Sequence, residues 1–285
     1  TGDDPRESDP EPLGMPNGTV EYLLDGPVAW VTMARPEVAN ALDAAMIEDL
    51  DSALSRAESD AGVRVIVLRG EGRHFCSGHD LAELMAGEEH WAAMRDTPEG
   101  KLAHETAMYL EPCLRWRNTD RITIAAVQGA CAAAGLMLAC MCDLIVAADD
   151  ARFSNPVLRM SGAGVELLVE PWELGARRAK EFLLCARKLS AAEAEQAGMV
   201  NRVVPLDDLS TAAAAMAAEV ALVPPVTAAA VKGTINYTLD RAGQADSWRH
   251  HFMVHQFVSA TDTATSMAAR RSEGGMDVVK REQAP

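Results

Sequence analysis

Two short segments of the chain have the residue types and spacing of an anion-binding site. Residues 74–81 read His-Phe-Cys-Ser-Gly-His-Asp-Leu, and residues 128–135 read Gln-Gly-Ala-Cys-Ala-Ala-Ala-Gly. The second segment follows an apolar, strand-like run and leads through very small residues into an apolar, helix-like run. The free N–H groups at a helix start, together with the helix dipole, stabilise negative charge. The pattern therefore predicts a binding site for an anion or for an oxygen that develops negative charge.

Alternating strands and helices have to position these two segments. Apolar runs flanking Asp25-Gly26 predict a hairpin, and Asp43 is placed to cap a helix that runs to about Leu54. Strands alternating with helices indicate an α/β fold with right-handed crossovers. The remaining predictions up to residue 148 are strands at 63–68, 122–128 and 144–148 and helices at about 100–117 and 133–141.

The chain divides by composition into three parts. Residues 1–18 are rich in Pro, Gly and acidic residues, which predicts a disordered tail. We predict an α/β core over 19–206 and a helical C-terminal region over 207–285 that serves in oligomerisation. Within the last region the periodicity predicts helices at 207–222, 225–237 and about 243–267.

Composition excludes several classes of protein. The net charge of −16 argues against nonspecific binding of nucleic acid, which needs clustered positive charge. The longest apolar stretch contains Gln128 and many small residues, and no run approaches the roughly 20 apolar residues of a membrane span. The six cysteines match no common zinc pattern and are typical of free thiols in a reducing cytosol, so we predict a cytoplasmic protein without a metal. His251 and His255 lie one helical turn apart, and without an accompanying acid–base motif we interpret them as part of a helix face.

Six motifs in a fixed order resemble one family, the crotonase or enoyl-CoA hydratase/isomerase superfamily. The resemblance covers roughly residues 20–280. It implies the crotonase fold, a spiral of repeated β-β-α turns with a helical C-terminal region that assembles trimers or dimers of trimers. It also implies a coenzyme A thioester as substrate, with no further cofactor, and a role such as fatty acid metabolism. The motifs are P-x-x-x-N-A-L at 36–42, F-x-x-G-x-D-L at 75–81, the glycine-containing segment 128–135, 142–148, Arg152-Phe153 and Ala197–Val200.

The resemblance also implies the roles of particular residues. The thioester oxygen is expected at the backbone N–H groups of His79 and of Ala134 or Gly135. Asp80 has a second interpretation, because it can cap a helix that begins at Leu81. The residues implied to contact the substrate or its coenzyme A are Ala39, Ser77, Gly78, Asp80, Leu81, Met137 and Val157.

The chain departs from the family where the hydratase chemistry belongs. Addition of water to an enoyl thioester uses a base and an acid, which the family supplies as two glutamates. The corresponding positions are Met137 and Val157, and neither side chain can transfer a proton. The resemblance therefore predicts the fold and the ligand class more firmly than the reaction.

Other residues are candidates for the missing proton carrier. Glu166 directly follows Gly162-Ala-Gly164, in the loop that succeeds the second lost glutamate, and can extend from it toward an acyl group. Glu170, Glu173 and the imidazole of His79 are alternatives. Four residues would make the acyl pocket apolar, namely Trp172, Met160, Met137 and Val157.

The sequence is compatible with two classes of function. The first is an enzyme that acts on an acyl-CoA thioester through an oxyanion hole, by hydration, isomerisation or thioester hydrolysis. The second is a catalytically silent acyl-CoA-binding protein, which the loss of both glutamates favours. A purely structural subunit would leave the two intact oxyanion motifs unexplained.

Overall fold

A computed structural model describes residues 12–86, 97–160 and 162–283 of the chain. Its centre is a seven-stranded sheet in the order β1-β2-β3-β4-β5-β7-β10, in which the pairs from β3 onward are parallel. A smaller sheet has the order β6-β8-β9. The strands are β1 (Leu13–Gly14), β2 (Val20–Asp25), β3 (Val28–Met33), β4 (Val65–Gly70), β5 (Ile122–Val127), β6 (Ala130–Ala132), β7 (Leu144–Ala148), β8 (Arg152–Ser154), β9 (Lys188–Ser190) and β10 (Arg202–Val204).

Helices pack on both faces of the large sheet and over its C-terminal side. A π-helical turn, Thr106–Leu110, joins α3 to α4, so that one nearly continuous helical segment covers the predicted 100–117. The helices are α1 (Ala44–Ser59), α2 (Leu81–Ala86), α3 (Pro98–Glu105), α4 (Glu111–Asn118), α5 (Ala134–Met141), α6 (Glu170–Leu174), α7 (Ala176–Leu184), α8 (Ala191–Ala197), α9 (Leu209–Ala221), α10 (Pro225–Arg241), α11 (Gln244–Ser259) and α12 (Asp262–Gln283).

Local chemistry explains the first elements. The β2–β3 hairpin turns at Gly26, whose φ of 53° lies in the left-handed region that glycine adopts without strain. The Asp43 side chain accepts a hydrogen bond of 2.8 Å from the N–H of Met46 and caps α1, which confirms the predicted helix start. Every residue of β3 is buried, as expected of a strand covered on both faces.

The two sheets are linked by a repeat of the same local geometry. β6 begins three residues after β5 ends, and β8 begins four residues after β7 ends, so each passage of the chain adds one strand to each sheet. The corner after β5 is tight: a Cβ on Gly129 would lie 2.1 Å from the carbonyl oxygen of Arg73. This arrangement is the repeated β-β-α turn that the resemblance implies.

The C-terminal helices serve two different faces of the core. α9 lies on the large sheet, where its buried residues Leu209, Ala213 and Ala217 join an apolar cluster with strand residues such as Val67. α11 and α12 lie over the opposite side and contact α3 and the turn at Pro156–Met160. The predicted single helix over 243–267 is wrong in one respect, because it is two helices that break at Ala260 and Thr261.

The N-terminal prediction needs a correction at its boundary. Residues 12–18, which we assigned to a disordered tail, are part of the described structure, whereas residues 1–11 lie outside the described residues. Leu13 and Gly14 pair with Tyr22 and Glu21, and Met15 is only 8% exposed. An edge strand of two residues is too short to produce a period-2 pattern, so composition alone suggested disorder.

Among the described helices, no single one has the length and apolar composition of a membrane span. One consecutive pair, Leu206–Ala221 and Pro225–Arg241, meets those criteria when taken together, with a bend of 103° between its members.

Candidate active site

The two predicted oxyanion segments lie side by side. Cys76 and Cys131 form a parallel bridge between them, and Ala132 donates its N–H to the Cys76 carbonyl oxygen at 2.9 Å. Gly78 has a φ of 101°, and a Cβ there would lie 3.3 Å from the backbone nitrogen of Ala134. Only glycine allows this backbone to approach the helix start so closely without strain.

Two backbone N–H groups at this junction are free to bind a ligand. Within the described part of the chain, the N–H groups of His79 and Ala134 have no protein acceptor. Ala134 is the first residue of α5, so its N–H belongs to the positive end of the helix dipole. Gly135 instead meets Cys76: a Cβ on Gly135 would lie 2.6 Å from the Cys76 carbonyl oxygen. Ala134 and Gly135 both stay candidates for the second donor.

Glu166 reaches this junction and pairs with His79. Its Oε2 accepts a hydrogen bond from Nε2 of His79 at 3.1 Å, and Glu166 is only 2% exposed. Burial by itself raises the pKa of the Glu166 carboxyl, but the charge and the hydrogen bond of His79 outweigh it and hold this pKa below its usual value. The carboxylate is consequently ionised at neutral pH.

Tyr109, in the π-helical turn, packs against the imidazole ring of His79. The rings of His79 and Tyr109 have centroids 4.2 Å apart and are tilted by 41°. A π-helical turn inside a longer helix shifts the register of its side chains and occurs often at functional sites. His79 and Tyr109 each line two neighbouring cavities, a larger one described next and a small apolar one of about 30 Å³.

A cavity of about 370 Å³ opens beside the His79–Glu166 pair. Its size suits a small-molecule ligand. Its walls come from the loops after β4 and β8 and from helices α3, α11 and α12. Of the residues predicted for the site, it brings together Ser77, His79, Leu81, Val157 and Glu166.

The remaining predicted contact residues do not line this cavity. Asp80 caps α2 by accepting the N–H of Ala82 at 2.9 Å and pairs with Arg35 at 3.1 Å, which supports the structural alternative for Asp80. The carbonyl oxygen of Ala39 accepts the N–H of Ser77 at 3.0 Å and supports the first oxyanion segment.

The two positions at which the family has catalytic glutamates, Met137 and Val157, have apolar side chains in this chain. Met137 is 1% exposed, lies in the main core, and its Sδ accepts the N–H of Leu167 at 3.3 Å. Val157 is half-buried on the cavity wall. Neither offers an acid or a base to a ligand.

The alternative glutamates point elsewhere. Glu170 accepts a 2.7 Å hydrogen bond from the Asn155 side chain and is buried outside the cavity. Glu173 lines a different cavity of about 490 Å³, and burial, followed by the charge of Glu170, raises its pKa to about 7. Glu166 is therefore the one of the three candidate glutamates that lines the site cavity.

Cysteine chemistry is disfavoured at this junction. Cys76 is fully buried, and burial raises the pKa of its thiol to about 12, so that it is protonated at neutral pH. Burial also raises the pKa of Cys131 well above its usual value. Neither thiol is a nucleophile in this state.

Sequence reasoning missed several residues of the cavity, among them Tyr109, Glu105 and His255. His255 is 9% exposed rather than part of an ordinary solvent-facing helix surface. The one-turn spacing of His251 and His255 was the available signal for a buried polar face. Glu105 and Tyr109 gave no signal, because they lie in a helix whose role depends on what packs against it.

The fold and this junction define the class of protein. Residues 25–273 match the family model described as enoyl-CoA hydratase/isomerase, and the chain belongs to that family. The predicted crotonase fold is confirmed by solved structures of the same class.

Particular members of the family are similar over most of their length. The crystal structure titled probable enoyl-CoA hydratase from Mycobacterium thermoresistibile is 44% identical, with a TM-score of 0.80, and the match covers 87% of this chain and 98% of that one. An enoyl-CoA hydratase/isomerase structure from Xanthobacter autotrophicus Py2 is 28% identical, with a TM-score of 0.85 and coverages of 94% and 98%. A Rhodobacter capsulatus protein named probable enoyl-CoA hydratase is 38% identical over 218 residues, 75% of this chain and 79% of that protein.

Proposed function

We propose that this protein is an enzyme that binds an acyl-CoA thioester and removes a proton from the carbon next to the thioester. The carbonyl oxygen accepts hydrogen bonds from the N–H groups of His79 and Ala134, and the Glu166 carboxylate takes the proton. The observation that supports the proposal is the ionised Glu166 beside two free N–H donors. One such donor contributes typically about 3 kcal/mol to stabilisation of an oxyanion.

Among the reactions of the family, this arrangement favours isomerisation over hydration. Moving a double bond requires a proton to leave one carbon and a proton to reach another, with no attacking water. The family's hydratases supply the acid and the base for hydration from the positions of Met137 and Val157, where the side chains of this chain are apolar. Thioester hydrolysis would need a water activated beside the carbonyl carbon, and the His79 imidazole is the candidate for that role.

A second candidate is a catalytically silent acyl-CoA-binding protein. The burial of Met137 in the core and the apolar Val157 on the cavity wall favour it. Under this alternative the oxyanion donors and the cavity hold the thioester, and Glu166 with His79 only satisfies buried polar groups.

Binding and proton exchange separate the candidates. We expect isothermal titration to detect acetyl-CoA and octanoyl-CoA, and we expect a saturated acyl-CoA in D₂O to exchange its hydrogens next to the thioester, measured by mass spectrometry. Binding without exchange would favour the silent protein. Absence of binding at millimolar ligand would contradict both candidates.

We also propose a homotrimer or a dimer of trimers, acting in the cytoplasm. Exposed apolar residues support the assembly: Val226 is 83%, Val231 54% and Ile235 56% exposed on α10, and Phe257 on α11 is 72% exposed. Such a surface is typical of a protein–protein contact. Light scattering at micromolar concentration should report three or six chains per particle, and a monomer would contradict the proposal.

A further inference from the structure

A second imidazole–carboxylate pair lies beside Glu166 in the same cavity. Nε2 of His255, on α11, lies 3.2 Å from Oε2 of Glu105, at the end of α3. Glu105, Glu166 and His255 each present one nitrogen or oxygen atom to a group whose members lie within 4.8 Å of one another. All three residues line the same cavity of about 370 Å³.

His255 is held in one orientation by its surroundings. The Gln256 side chain donates a hydrogen bond to the same Glu105 oxygen, and Nζ of Lys101 lies 3.6 Å from the other one. The Phe252 ring lies nearly parallel to the imidazole, with an interplanar angle of 8° and ring centroids 6.5 Å apart. A fixed, buried imidazole at a cavity wall has the geometry that proton transfer to a ligand requires.

We infer that His255, oriented by Glu105, is the second proton-transfer group of this site and works together with the neighbouring Glu166. The inference rests on the proposed function and extends it. Family hydratases use two glutamates, whose positions are apolar here. This chain has instead a carboxylate on the loop after Gly164 and an imidazole on a C-terminal helix.

The two groups complete the shift of a double bond in a 3-enoyl-CoA. Glu166 takes a proton from the carbon next to the thioester, and the C–H electron pair forms a dienolate whose oxygen is bound by His79 and Ala134. Protonated His255 gives its proton to the far carbon of the former double bond, which produces the 2-enoyl-CoA. The proton on Glu166 then passes through water to neutral His255, so the protein ends in its starting state and no other reactant is consumed.

The charges around His255 favour its acid form. The charged groups that act on it include Glu105 and Lys101 from α3 and Glu166 from its loop, with His251 on its own helix, and Arg271 of α12 and His79 line the same cavity. Burial by itself lowers the pKa of His255, but the hydrogen bond with Glu105 and the charges of Glu166 and Glu105 raise it above the usual value. The protonated fraction is therefore high below this raised pKa and falls as the pH rises through it.

Two assays on the full-length protein test the role of His255. The first is hydrogen exchange of butanoyl-CoA in D₂O, which needs Glu166 and the oxyanion donors. The second is conversion of trans-3-hexenoyl-CoA to the 2-enoyl isomer, which needs both groups. We expect His255→Gln to keep the exchange within about threefold and to slow the isomerisation by a factor of about 10²–10⁴, the usual loss for one general acid. His250→Gln, at an exposed position of the same helix, should change neither rate.

The pH dependence of the isomerisation is a further test, because it would not shift if Glu105 and His255 had a purely structural role. Glu105→Gln removes one of the two carboxylate charges that raise the pKa of His255, so the isomerisation should decline at lower pH than in the unmodified protein. The inference is overturned if His255→Gln isomerises normally, if it loses both activities together, or if the unmodified protein exchanges but does not isomerise. Failure of the unmodified protein in both assays would contradict the proposed function instead.

Discussion

Replacement of Glu166 by Gln is expected to remove acyl-CoA proton exchange while leaving affinity within about threefold. The amide is nearly the same size as the carboxylate and still accepts a hydrogen bond from His79, but it cannot take a proton at neutral pH. Loss of a general base typically lowers a rate by a factor of about 10²–10⁴. Mass spectrometry of butanoyl-CoA in D₂O measures the exchange, and isothermal titration measures the affinity.

Glu170→Gln is the matched control for this variant. Glu170 is also a buried glutamate, four residues further along, but it pairs with Asn155 outside the cavity. The Glu170→Gln variant should therefore exchange the hydrogens of butanoyl-CoA at the rate of the unmodified protein. Equal exchange in the Glu166→Gln variant and the unmodified protein would refute the assignment of the base.

The acid side of the pH profile checks the same assignment. Glu166 acts while it is ionised, and its pKa in the folded protein is below the usual value, so exchange should persist below the ordinary titration range of a glutamate and be lost only as the pH falls through the lowered pKa. His79→Ala removes the interaction that lowers this pKa but keeps the backbone N–H. The acid limb should then move to higher pH.

Hydration of crotonyl-CoA is expected to be slow or undetectable. Each missing acid or base lowers a rate by a factor of about 10²–10⁴, and both family positions are apolar in this chain. The double variant Met137→Glu with Val157→Glu should gain hydratase activity if the backbone around α5 is retained. A spectrophotometric assay of the loss of the conjugated double bond measures both proteins.

The double glutamine variant, Met137→Gln with Val157→Gln, is the control, because it has similar shape without the acid–base function. Met137 is almost fully buried, and a buried carboxylate without partners destabilises the fold, so thermal unfolding should be measured on every variant. Unmodified protein that hydrates crotonyl-CoA like an ordinary hydratase, with no effect of Glu166→Gln, would show that the acid and base lie elsewhere.

Much of the fold follows from local sequence signals. The Asp25-Gly26 hairpin, the Asp43 cap and the long apolar runs of β4, β5 and β7 are determined by residues that are close in the chain. The three-residue strands β6 and β9 and the two-residue β1 are too short for a periodic pattern. Their pairing depends on segments far away in sequence, so composition and periodicity did not predict them.

The sequence by itself determined the two oxyanion segments, the family and the loss of both family glutamates, because each is a matter of residue type and short spacing. It also singled out Glu166, although only among several glutamates. Only the tertiary structure decided that Glu166 pairs with His79, that Glu170 and Glu173 face other surroundings, and that Glu105 and His255 join the site. The physical reason is that a carboxylate or imidazole has no fixed role in the chain itself. Its protonation and its partner depend on burial and on charges that elements as distant in sequence as α3 and α11 bring within a few ångströms.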